Sequence, residues 1–235
     1  MVAMTPDDVR AALASPPRAR SAADPRDAVL ASVAASYFKL RRGMALLAVL
    51  FPPALWIGGG VDDLQGSLSA YYHADGGRMR DLFVGVLCAI GAFLFLYRGY
   101  SAAEDRALDG AGIAAVAVAM LPMDWPLAAP RTAIGTAHYV AAAMFFLLIA
   151  YVCVFRSGDT LQALRDEVRA ARFRMTYRLL GALMLGLPAT VWAVHAILPR
   201  RGEPVALFFV EAAAVYVFAA FWWTKSREIR LIERR

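Results

Sequence analysis

The sequence predicts an all-α fold: a polytopic membrane protein built as a six-transmembrane-helix bundle, with N- and C-termini cytoplasmic. Three observations predict it. The 235 residues are 60% hydrophobic, with a mean hydropathy of +0.51, against about 45–50% apolar in soluble chains. The apolar residues gather into six long runs. Twenty of the twenty-five Lys and Arg lie in alternate connections, on one side of those runs.

A bilayer core about 30 Å thick needs roughly 20 residues of helix, and backbone groups at that depth must satisfy one another, which selects helix. The first run, 43–61, holds Pro52 and Pro53, which predict a kink. The second is 81–97. The third, 108–123, is short and rich in Ala and Gly, and charged residues at Arg106 and Asp124 bracket it. The fourth is 132–155. The fifth, 177–198, holds Pro188 and a second expected kink, and the sixth is 205–224.

The charge asymmetry orients the bundle, because positive residues stay on the cytoplasmic side. It also accounts for the basic isoelectric point without nucleic acid. Residues 1–38 are then a cytoplasmic segment with a capped helix opening at Thr5-Pro6-Asp7-Asp8 and a flexible linker over 15–20. Its first apolar run starts too far in for a cleavable signal peptide. Residues 39–224 are the transmembrane domain. Within it, 159–174 carries Leu161, Leu164, Val168 and Ala171 at helical spacing, which predicts an amphipathic helix on the cytoplasmic surface. Residues 225–235 form a basic tail. The expected location is the plasma (inner) membrane. The expected partners are membrane lipids, with anionic lipids facing the basic helix and tail.

Polar residues mark a candidate site near the outer face. His73 lies in the first outer loop, His138 early in the fourth run and His195 near the end of the fifth. Asp81 opens the second run, and Glu211 is the one acidic residue well inside any run. An ionisable group at that depth costs about 2.5–3.5 kcal/mol, which makes function the first hypothesis for Glu211. Hydrogen bonding between helices is the plainer reading for each of these residues, and capping the plainer one for Asp81. Trp56, Tyr71, Tyr72, Trp125 and Trp192 are expected in an outer aromatic belt, Trp222 and Trp223 in an inner one. Gly85, Ala89 and Ala92 suit close helix packing. Cys88 and Cys153 sit at different depths and are expected to stay unbonded.

Two resemblances add to this. Ser67 to His73 (S-x-S-x-Y-Y-H), the R-D-x-F-V-G core from Arg80, Y-R-G-Y from Tyr97, and the segments around His138 and Glu211 resemble a group of uncharacterised six-span bacterial membrane proteins. That resemblance implies six helices and a polar signature of Ser69, Asp81, His138 and Glu211. The element Ser69-x-x-x-His73 is also similar to that of the alkaline ceramidase-like membrane hydrolases, in which a serine, an aspartate and three histidines build a zinc site. This chain has six runs where those proteins have seven spans, and it lacks their paired H-x-x-x-H.

The functional expectation is a metal-dependent hydrolase of a lipid amide or ester. His73, His138 and His195 would hold zinc with one position left for water. Asp81 or Glu211 would be the general base, and Ser69 would orient the water or the developing oxyanion. The alternatives are a non-catalytic membrane protein that binds a lipid, proton or small solute, and a structural or assembly subunit.

Overall fold

Long apolar runs leave the backbone no partner but itself, and every regular element among the described residues is helical. The computed structural model describes residues 25–126, 130–197 and 205–233. The expected helix at Thr5-Pro6-Asp7-Asp8 and the linker over 15–20 lie outside them. Six long helices follow one another: α1 (Pro25–Gly59), α2 (Arg78–Leu96), α3 (Ala102–Met120), α4 (Ala133–Tyr151), α5 (Glu167–Ile197) and α6 (Ala206–Glu233). The chain divides into two units, Met1–Phe38 and Lys39–Arg235. In the first, residues 25–38 are helical and mostly exposed. The second unit holds the remainder of α1 and all of α2 to α6.

Five helices, α1, α2, α4, α5 and α6, are long and apolar enough to cross a membrane, which is the character of a multi-pass membrane protein. Helix α3 differs because Glu104, Asp105, Arg106 and Asp109 occupy its first half. Side-chain placement agrees with that character. Leu46, Ile57, Phe95, Ile113, Leu147 and Leu179 are exposed, whereas His138, Glu104, Lys225 and Glu228 are buried. This inverts the pattern of a soluble protein.

Each helix from α2 to α6 packs against the next. Helix α1 lies between α2 and α6: Phe51 meets Phe83 at 5.6 Å, and Trp56 meets Phe208 and Phe209 at 6.3 Å. The α2–α3 seam is the tightest. A Cβ on Gly91 would stand 2.7 Å from the Gly112 carbonyl oxygen, and one on Gly112 would stand 2.6 Å from that of Gly91. Small residues allow this approach and also depress the hydropathy of α3. Gly85, expected at such a seam, has open space beside it.

Helix boundaries depart from expectation where polar groups cap or pair. The amphipathic helix expected over 159–174 is divided. Residues Thr160–Ala163 form a 3-10 turn, and α5 begins at Glu167. Asp166 starts it by accepting the Arg169 N–H at 3.0 Å, a new N-cap that interrupts the periodicity. Val168, assigned to the apolar face, is exposed, while Leu161 is buried. The expected fourth run, 132–155, is α4 followed by a π-helical turn, Val152–Arg156, stabilised by Ser157 Oγ on the Val152 carbonyl at 3.0 Å.

The expected basic tail is helical as far as Glu233, and its first residues are buried. Lys225, 2% exposed, donates to Thr160 Oγ1 at 2.6 Å and pairs with Glu228 Oε2 at 3.4 Å. Thr160 and Tyr177 both donate to Glu228. Trp222, expected at a boundary, is instead buried against Tyr97, Phe218 and Phe221. Tyr71 is likewise core, against Phe208.

Candidate functional site

The segment between α1 and α2 folds inward at one end of the bundle. Ser67 Oγ accepts the Ala70 N–H at 3.1 Å, at the start of a 3-10 turn over Ser69–Tyr72. Glu211, in the second turn of α6, accepts the Leu68 N–H at 2.7 Å. That bond gives an acidic side chain inside an apolar helix a structural task, which is to hold the residue before Ser69.

Helix α4 is fixed from the same end. Thr132 caps it by accepting the Gly135 N–H at 3.0 Å, and Thr132 Oγ1 in turn donates to Asp124 at 2.6 Å. A Cβ on Gly135 would strike the Asp124 carboxylate, so glycine there lets the α3–α4 connection lie against the helix start. One turn later stands His138, 2% exposed.

His138 Nδ1 lies 2.7 Å from the Leu121 carbonyl oxygen, which can only accept. The proton of the neutral ring is therefore on Nδ1, and Nε2 carries the lone pair. Ser69 Oγ stands 3.1 Å from Nε2 and donates to it. A hydroxyl, a base within hydrogen-bond reach and a third group that orients the base form the constellation of an activated nucleophile. Here the orienting group is a backbone carbonyl.

Ser69 and His138 line a cavity of about 470 Å³, within the roughly 300–1,000 Å³ typical of small-molecule sites. All six helices contribute to its wall. Ser67, Ser69, His138, Tyr139 and Glu211 gather at one end, and the rest of the lining is apolar, including Phe83, Phe145, Met184 and Phe218. The exposed members of the wall are Ala143 and Leu147 on α4, with Leu185, Ala189 and Trp192 on α5. The cavity thus opens sideways, between α4 and α5, with Pro188 on its lip.

Of the expected site residues, Ser69, His138 and Glu211 come together. Asp81 does not: its side chain is 84% exposed and 3.9 Å from Arg80. His73 Nε2 donates to the Met123 carbonyl at 3.1 Å, and its ring stacks on Trp125 at 5.7 Å. His195 lies on α5, and its side chain is outside the described residues. His138 commits both ring nitrogens to protein partners. Among the described residues no group of three His, Cys, Asp or Glu is placed to hold a metal ion. The Leu121 carbonyl had no side-chain signal in the sequence. Compared with protein-family models, curated proteins and solved structures, the chain matches none.

Proposed function

We propose that this is a six-span protein of the plasma membrane, both termini cytoplasmic, that hydrolyses a lipid ester or amide with Ser69 as nucleophile. The Ser69–His138–Leu121 chain at the polar end of a laterally open apolar cavity carries the reading. Five apolar helices and the one-sided distribution of Lys and Arg support the topology, with α3, buried by its small residues, as the sixth span.

The chemistry follows from the proton positions. His138 Nε2 takes the Ser69 proton as Oγ attacks the acyl carbon, and the Leu121 carbonyl holds the imidazolium through Nδ1–H. The imidazolium then returns that proton to the departing alcohol or amine, leaving the acyl group on Ser69. Water, deprotonated by the same nitrogen, releases the acid and restores the serine. The apolar wall receives the acyl chain, and the opening between α4 and α5 admits it from the bilayer. Glu211 acts as a positioning residue, through Leu68.

A fluorophosphonate probe on the detergent-purified protein tests this. The expected result is one label, on Ser69, absent in Ser69→Ala, weakened in His138→Gln and indifferent to a zinc chelator. Activity lost to chelation would overturn the serine mechanism in favour of a metal. Absence of both label and lipid turnover, with an acyl-chain probe still bound in the cavity, would leave a non-catalytic lipid-binding protein.

A further inference from the structure

At the opposite end of the bundle, α5 and α6 carry basic residues on facing surfaces. Arg169, Arg172 and Thr176 recur at helical spacing on α5, as do Thr224 and Arg227 on α6, and together they line a second cavity of about 420 Å³. Arg169 is engaged by Asp166 at 2.9 Å. The guanidinium groups of Arg172 and Arg227 have no carboxylate partner among the described residues. Two such cations beside the Thr224 hydroxyl make a site for an oxyanion with several acceptor atoms.

We propose that this groove binds the phosphate of an anionic phospholipid. Arginine forks match phosphate oxygens, and Phe173 and Leu231 offer an apolar wall where the glycerol and acyl chains would begin. Trp223, exposed next to Thr224 with Arg42 over its ring at 5.6 Å, lies beside the groove, as interfacial tryptophans do. The proposal rests on the membrane topology and is independent of the Ser69 chemistry.

The test is native mass spectrometry of protein exchanged from nanodiscs of equal phosphatidylglycerol and phosphatidylcholine. Wild type should retain phosphatidylglycerol selectively. The Arg172→Gln/Arg227→Gln variant should lose that preference, by about fivefold for each arginine removed, at an unchanged melting temperature. Equal retention by both proteins would overturn the proposal, as would displacement of the lipid by millimolar inorganic phosphate, which would assign the groove to a soluble anion. Failure of the serine mechanism leaves this readout unaffected. A chain that stays dispersed without detergent would instead refute the topology before any lipid is counted.

Discussion

Ser69 and His138 are 69 positions apart in the chain and 3.1 Å apart in space. Three contacts from other elements fix that distance: Glu211 on the Leu68 N–H, Leu121 on the imidazole, and Asp124 with Thr132 on the start of α4. The pair is therefore held by α4, α6 and the α3–α4 connection together.

Removing the hydroxyl should separate chemistry from folding. Ser69→Ala is expected to lower turnover by about 10⁴-fold or more while moving the melting temperature little, because His138 keeps its bond to Leu121. His138→Ala should also cost stability, about 2–4 kcal/mol, since it empties a buried site and orphans the Leu121 carbonyl. Turnover and thermal unfolding of the two variants check the contrast.

At the α2–α3 seam, Gly91→Ala and Gly112→Ala each place a methyl group against a backbone oxygen that cannot move aside. Each should destabilise by about 1–3 kcal/mol. Gly85→Ala, with open space, should be nearly silent. Thermal unfolding in one detergent ranks all three.

The buried Lys225–Glu228 pair should be strongly coupled. Lys225→Met alone leaves a carboxylate with only Thr160 and Tyr177 as donors, and Glu228→Gln alone leaves a buried ammonium. Each is expected to cost about 3–5 kcal/mol, and the double variant substantially less than their sum. A double-mutant cycle measures the coupling directly.

Glu104, in the first turn of α3 ahead of its apolar stretch, accepts the Tyr100 N–H at 2.8 Å. Burial raises its pKa, and the Tyr100 bond and Lys225 offset only part of that. The folded chain therefore holds this proton at pH values where the unfolded chain has released it. Stability from this group is complete below the unfolded pKa and declines as pH rises through the folded one. Glu104→Gln should flatten the loss, which melting temperatures between about pH 4 and pH 7 would show.

Hydropathy made the helical class and the long runs legible in the sequence, and depth along each run grouped His138 and Glu211 with Asp81, whereas Ser69 entered only through the resemblances. Depth says nothing of azimuth. Asp81 begins α2 on an exposed face, and His73 turns to Met123, although both belong to the same end of the chain's helices. The role of Leu121 was hidden because a carbonyl has no residue-type signature. The buried ionic cluster was hidden for another reason. Lys225 and Glu228 read as a solvated tail, yet their i, i+3 spacing continues the register of Phe218, Phe221 and Trp222, and the periodicity, followed past Thr224, would have placed them inward.

Under the proposed hydrolysis, the sideways opening between α4 and α5 has a kinetic meaning. A substrate that reaches Ser69 from within the bilayer is never counted in moles per litre of buffer. The governing quantity is its mole fraction among the lipids. Diluting a vesicle suspension should leave the rate per protein unchanged, whereas diluting the substrate with inert lipid in the same vesicles should lower it in proportion. A bulky, rigid neighbour such as a sterol would slow arrival without touching any polar group. Trp192, 73% exposed at the lip of that opening, would report each arrival as a change in its own fluorescence.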